Sequence, residues 1–432
     1  MRRIFFRTVN VLIAGVCLSQ PQIAGAQDAA GSQPEQHDHV QMPMPSTGWQ
    51  FMQDGLFRVT FNHQGSERGG DELVAPNWWM GMASRTVGGS QLTFTSMFSL
   101  DPATVGKSGY REILQVGEAL NGKPLIDRQH PHDLFMQLAA IWRVPLSDAT
   151  GFTVAGGPVG EPALGPVAFM HRASATGLPF APLSHHTFDS THIAFGLVTA
   201  AVDHGPFVVE ASVFNGREPD ENRWDFDFGR LDSVSTRLWY RPSAEWEFQV
   251  STGHLVNPEE LEPGNIERTT ASASWMQRNG SDFSAVTVGY GVNALEATNR
   301  HAVFAEGTRH VNAFSIFGRV EAVQVETAVL LTDTVPATPA QEALKNTVGA
   351  FTVGAARDIG QWHGFEGSVG GTVTLNAVPD VLSAMYGTHP LSFQLFFTLR
   401  PPVGAMGRMW NMRMSQPMAG HAMPGSMNQQ MP

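Results

Sequence analysis

The rhythm of the connections constrains this chain more than any other feature. Segments that alternate residue by residue between two faces recur along the sequence, and every second connection between them is a tight turn. Phe207, Val209, Ala211 and Val213 alternate with Val208, Glu210, Ser212 and Phe214, and Val234, Thr236, Leu238 and Tyr240 alternate with Ser235, Arg237 and Trp239. Sixteen such strands are predicted, at 55–63, 77–87, 90–99, 134–146, 150–157, 191–202, 206–214, 231–241, 244–254, 267–278, 282–292, 300–309, 313–331, 346–357, 361–375 and 391–400. The tight connections are Gly88-Gly89, 147–149, 203–205, Pro242-Ser243, Asn279-Gly280, Val311-Asn312 and 358–360. The others are long, at 64–76, 100–133, 158–190, 215–230, 255–266, 293–299, 332–345 and 376–390. Helical periodicity is confined to 112–120 and 339–345, both in connections.

Short turns at one end and long loops at the other predict an all-β fold. It is a transmembrane antiparallel β-barrel of about 16 strands (14–18), with periplasmic turns, extracellular loops and both termini in the periplasm. Lipid cannot satisfy an open sheet edge, so the sheet must close. The competing reading is a large water-soluble sandwich or propeller, which the alternation of loop lengths disfavours. Trp239, Trp246, Trp275 and Trp362 fall close to short turns, where an aromatic girdle is expected. No stretch of 18 apolar residues offers a transmembrane helix. Only 15% of residues are charged, low against roughly 25% for an average soluble domain. A net charge of −12 without a basic run excludes nucleic acid as an expected partner.

Arg2, Arg3 and Arg7 precede an apolar run at 11–18, and Ala24-Gly25-Ala26 supplies small residues for cleavage. Residues 1–26 therefore read as a signal peptide that carries away the sole cysteine, Cys17. A His- and Met-containing segment at 27–48 precedes the barrel at 49–400, and a Met-rich tail at 401–432 follows it. Pro and Gly punctuate both terminal segments, so both are expected to be flexible.

Two constellations carry chemistry. The tail holds eight of the 19 methionines, among them Met409, Met412, Met414, Met418 and Met423, together with His421. His37, His39, Met42 and Met44 form a smaller cluster near the mature start. Thioether and imidazole ligands together suit Cu(I) or Ag(I); the alternative is a low-complexity extension. The second constellation is central, because seven of 16 histidines fall between 130 and 204. His130-Pro131-His132-Asp133 closes one long loop, His171 lies within the next, and His185, His186, Asp189 and His192 close it. Proline keeps the first motif extended, so His130 and His132 can point the same way. Asp127, Asp133 and Asp189 are placed to orient ring N–H groups. The set reads as a Zn²⁺- or Cu²⁺-type site at the barrel mouth or on a loop folded inward, or as a hydrogen-bond network that pins loops to the wall. Glu218, Asp220, Glu221, Asp225 and Asp227, interspersed with Arg217, Arg223 and Arg230, make the loop at 215–230 fit a hard cation or, more simply, a salt-bridged surface. Ser184 beside His185 or His186 and Asp189 supplies the residue types of a lipid hydrolase, without a Gly-x-Ser-x-Gly elbow. Glu210, Arg237, Glu247, Arg319 and Glu321 are expected to line the lumen.

Gly48-Trp49-Gln50-Phe51-Met52, Pro76-Asn77-Trp78-Trp79-Met80, the 127–133 motif and residues 182–189 resemble an uncharacterised family of bacterial outer-membrane, porin-like proteins. The resemblance covers most of the mature chain and implies a fold without an activity. In architecture alone, the Met/His-rich extension is similar to that of copper-resistance protein B. The expected function is binding or passage of soft metal ions, copper first. The alternatives are a passive channel with a His/Asp-shaped constriction and an outer-membrane lipid hydrolase. Outer-membrane lipid and copper ions are the expected partners.

Overall fold

Alternation in the sequence becomes alternation in space. The computed structural model describes residues 48–262, 264–336, 338–401 and 413–414. Sixteen strands follow one another around the wall. The first eight are β1 (Gln50–Gln64), β2 (Asn77–Val87), β3 (Ser90–Phe98), β4 (Phe135–Pro145), β5 (Thr150–Gly160), β6 (Ala194–His204), β7 (Phe207–Phe214) and β8 (Ser233–Tyr240). They continue as β9 (Trp246–Leu255), β10 (Ile266–Asn279), β11 (Asp282–Ala294), β12 (Asn299–Val311), β13 (Phe314–Glu326), β14 (Lys345–Trp362), β15 (Phe365–Ala377) and β16 (Leu391–Arg400). Each pairs antiparallel with the next, and β16 returns to β1, from Phe57 opposite Leu399 to His63 opposite Phe393. The sheet is closed, which is the condition for crossing lipid with strands. A short strand, Gly70–Val74, folds back onto the far end of β1.

Outward residues are apolar and inward ones are polar. On β7, Phe207, Val209 and Val213 are exposed while Glu210 and Ser212 are buried. On β8, Val234 and Leu238 are exposed while Ser235 and Arg237 are buried. This inverts a water-soluble protein because the outer solvent is hydrocarbon. Val250, mid-strand on β9 and 54% exposed, belongs to the lipid face. Val250→Arg is expected to destabilise the barrel by about 2–4 kcal/mol if it sits near the midplane. Urea unfolding in lipid vesicles measures this, and a loss of a few tenths would place Val250 at the interface.

Four local expectations are corrected. Residues 112–120 are not helical: Leu114 has φ +72 and Gly117 φ +138, and the Leu114 amide donates to Asp127 Oδ1 at 2.7 Å. The strand expected at 313–331 ends at Glu326 and continues as the helix Thr327–Thr332. The hairpin expected at 358–360 lies at His363-Gly364, where both φ values are positive; Asp358–Gly360 is instead a register shift within the strand pair. Trp239 points inward and is buried, and its indole donates to Glu210 Oε2 at 2.7 Å. Trp246 and Trp362 do face outward.

Residues 161–193, the connection between β5 and β6, fold inside the barrel. The segment is tied to successive strands around the wall. The Ala163 amide donates to Ser212 Oγ (2.8 Å) and the Gly165 amide to Ser251 Oγ (2.9 Å). Arg237 donates to Glu161 Oε1 (3.1 Å) and to the Gly165 carbonyl (3.0 Å). Arg172 and Ser174 both reach Glu306 Oε1, at 2.7 and 2.9 Å. Ser184 Oγ donates to Glu321 Oε2 (2.9 Å), and Arg58 donates to the Leu178 carbonyl (2.7 Å). Buried polar groups persist only when paired in this way. The wall makes room for the plug: a Cβ on Gly291 would lie 3.0 Å from Thr187 and 3.1 Å from Phe188. Among the described residues, one cavity bordering plug and wall has a volume of about 20 Å³ and another about 40 Å³.

Candidate functional site

Five histidines from two connections meet inside the plug. His185 and His186 sit on the helical turn His185–Phe188, and His192 on the following turn, Ser190–His192. His130 and His132 approach from the connection that ends at β4. Ring centroids are 5.6 Å apart for His132 and His192, 5.4 Å for His192 and His185, and 5.4 Å for His185 and His186. His130 lies 6.0 Å from His185 and 5.7 Å from His186. The imidazoles form a ladder through the lumen.

On four of these rings Nδ1 makes a hydrogen bond to an oxygen, and His186 Nδ1 lies 3.3 Å from Glu218 Oε1. His185 Nδ1 donates to Asp189 Oδ1 (2.8 Å), His192 Nδ1 to the Asp189 carbonyl (2.7 Å) and His132 Nδ1 to Asp101 Oδ2 (2.9 Å). His130 Nδ1 donates to the Pro131 carbonyl (3.1 Å). Because these partners are acceptors, the neutral rings of His185 and His192 carry their lone pair on Nε2. His185 Nε2 and His192 Nε2 are buried without a hydrogen-bond partner. A ring oriented through Nδ1, with a free Nε2, is the usual arrangement of a metal-ligating histidine. His130 Nε2 instead faces Glu118 Oε1 at 2.9 Å.

Burial favours the neutral form of four of the five rings. It pushes His130 and His192 well below the ordinary imidazole value and lowers His185, against the pull of Asp189. His186 falls to about 4. Burial alone would raise Asp189, but the Arg172 guanidinium and the His185 hydrogen bond hold its carboxyl far below the usual range. Glu118 is raised by burial, opposed mainly by Arg223.

The expected second partners are only partly in place. Asp189 orients His185, as its spacing suggested. Asp133 accepts from Arg223 (3.2 Å), and Asp127 accepts from Arg68 and Tyr386; neither meets an imidazole. Asp101 takes that role for His132, and no sequence pattern marked it. His171 stands apart from the ladder, edge-on to Trp78 at 5.0 Å. Ser184 engages Glu321 rather than a ring nitrogen. Among the described residues, three ligand atoms lie within 4.8 Å of one another in two places, His186–Glu218–Glu259 and Asp220–Asp225–Asp227. Glu218 was expected only in the acidic loop, and Glu118 and Glu259 were missed, because the three come from separate connections. The acidic loop is also salt-bridged, as Arg217 clasps Asp232 through two nitrogens (2.9 and 3.1 Å). Met414 is buried, and Gln137 Nε2 lies 2.9 Å from its sulfur. The signal segment, His37, His39, Met42, Met44, Met409, Met412, Met418, His421 and Met423 lie outside the described residues.

The neutral histidines make stability depend on pH. His171 and His186 drop from 6.5 to about 4 on folding, so their contribution is whole above 6.5 and is lost as pH falls toward 4. Asp133 and Glu161, raised by burial to about 7, act oppositely: their contribution is present at low pH and lost as pH rises to 7. His171→Gln is expected to flatten the slope of unfolding free energy between pH 4 and 6.5 by up to about 1.4 kcal/mol per unit. An unchanged slope in urea titrations would mean that His171 is charged in the folded barrel.

No protein-family model and no curated protein matches the chain. Among solved structures it is similar to the anion-selective porin from Comamonas acidovorans. Identity is 8%, over 82% of this chain and 100% of the porin, with a TM-score of 0.50. It is also similar to OprB of Pseudomonas putida in its high-pH structure. There identity is 10%, over 82% of this chain and 94% of OprB, with a TM-score of 0.51. At such identity the likeness is one of fold: the closed, porin-like barrel of outer-membrane proteins.

Proposed function

We propose that this chain is an outer-membrane barrel that binds transition-metal ions inside its filled lumen and passes them, with copper the first ion to test. The observation that carries the reading is the imidazole ladder, in which His185 and His192 are held through Nδ1 and leave two buried Nε2 atoms unused. Imidazole suits Cu²⁺ and Zn²⁺, and the tail thioethers suit Cu(I). The ladder nitrogens do not converge into a closed cage, which favours successive weak sites over a structural one. Passage needs binding that is strong enough to enter and weak enough to leave.

The test is titration of the refolded, detergent-solubilised mature protein with Cu(II), Zn(II) and Cu(I). His185→Ala is expected to lower affinity for Cu(II) and Zn(II) by about 10–100-fold, on the scale seen when one group of a metal site is removed. Removing residues 415–432 is expected to lower Cu(I) stoichiometry alone. Wild-type protein that binds none of the three would end the metal reading.

A passive porin-like channel is the second reading, favoured by the barrel fold and by the mixed charges of Glu210, Arg237, Glu306, Arg319 and Glu321 on the inner wall. An open, ohmic conductance would support it.

A further inference from the structure

Six methionines that belong to the barrel and its connections cluster inside the wall. Met80 and Met82 alternate on the inner face of β2, with Met97 on β3 and Met136 on β4; Met52 and Met170 pack against them. Met80, Met97 and Met136 are each no more than 3% exposed. These three line the cavity of about 20 Å³ together with His171 and His192. That volume holds one water-sized or ion-sized occupant.

Both histidines bring an unused nitrogen. His171 is 6% exposed and His192 is 8% exposed, and His171 Nδ1 and His192 Nε2 have no hydrogen-bond partner. A buried ring nitrogen without a partner is costly unless something occupies it. Glu161 and Arg413 close the cavity, and Arg413 is itself engaged by Glu247 and by the Trp239 ring, 3.9 Å from its centroid.

We propose that Met80, Met97, Met136, His171 and His192 form a site for a soft monovalent cation of the Cu(I) or Ag(I) class. Thioether sulfur is polarizable, uncharged and weakly hydrated, so it discriminates for such ions and against hard divalent ones. His192 is also a rung of the imidazole ladder, between His132 and His185, so the cavity joins a sulfur-rich compartment to a nitrogen-rich one. The proposal rests on the metal-handling reading above and names its ion class.

The experiment compares the full mature chain with its Met80→Leu/Met97→Leu/Met136→Leu variant, so that both carry the terminal methionines. Leu conserves volume and removes sulfur. Ag(I) is the probe, read as bound equivalents and as the rise in thermal midpoint. The wild type is expected to hold about one more equivalent than the variant and to show a midpoint shift that the variant lacks. Equal stoichiometry and equal shift would overturn the site. Met97→Leu alone repeats the comparison if the triple variant does not refold. His185→Ala, titrated with Cu(II) in parallel, separates the two ideas. A Cu(II) loss there with unchanged Ag(I) in the methionine variant removes this site and keeps the metal-binding barrel; no binding of either ion removes both.

Discussion

Replacing residues 164–190 by a short Gly/Ser linker is expected to turn a barely conducting barrel into an open channel. A wall of 16 strands encloses an aqueous lumen unless something fills it, and here that segment fills it. Its buried ties to Ser251, Glu306, Glu321 and Arg58 distribute it around the wall rather than hang it from one side. After excision those groups would be rewetted rather than orphaned, so the wall should still close. Single-channel conductance in planar bilayers, wild type against variant, measures the effect. Equal conductances would mean that the segment does not obstruct the lumen in a bilayer, and the passive-channel reading would gain.

Arg172→Met should destabilise the barrel by about 3–5 kcal/mol, the usual result of breaking a buried ion pair from one side. Arg172 is buried and donates to Glu306 Oε1 (2.7 Å), Asp189 Oδ2 (2.9 Å) and the Val167 carbonyl (3.0 Å). It also lies over the Phe304 ring, 4.8 Å from its centroid. Without it, Asp189 loses the cation that keeps it ionised, and His185 loses a fixed acceptor. A fall in Cu(II) affinity is therefore expected alongside the loss of stability. The urea midpoint and the titration are independent readouts. A midpoint within about 0.5 kcal/mol of wild type would mean that the pair is hydrated and contributes little.

Much of the wall was legible in the sequence. A period-two pattern and a turn are local properties, so β7, with Glu210 inside and Val209 outside, could be read without knowing its neighbours. The turn at His363-Gly364 was misplaced because Gly360 resembles a hairpin glycine, whereas a register shift absorbs it. Trp239 was misassigned because an inward partner, Glu210 on the adjacent strand, satisfies its indole. Of the site, residues 185–192 were legible as a His/Asp cluster, whereas Asp101, Glu118 and the wall methionines were not. Met80 and Met97 read as ordinary strand residues until β2 and β3 set them beside Met136.

The sequence by itself determined the approximate strand number, most inward and outward faces and the two histidine-bearing connections, because lipid outside and polar groups inside impose a pattern that each strand carries alone. Only the tertiary structure decided that residues 161–193 lie in the lumen. It also decided which oxygen orients each imidazole and that three thioethers share a cavity with His171 and His192. These outcomes depend on contacts between segments far apart in the chain. Their partners are selected by the desolvation of charges such as Arg172, Glu306 and Asp189, which must find one another once water is excluded.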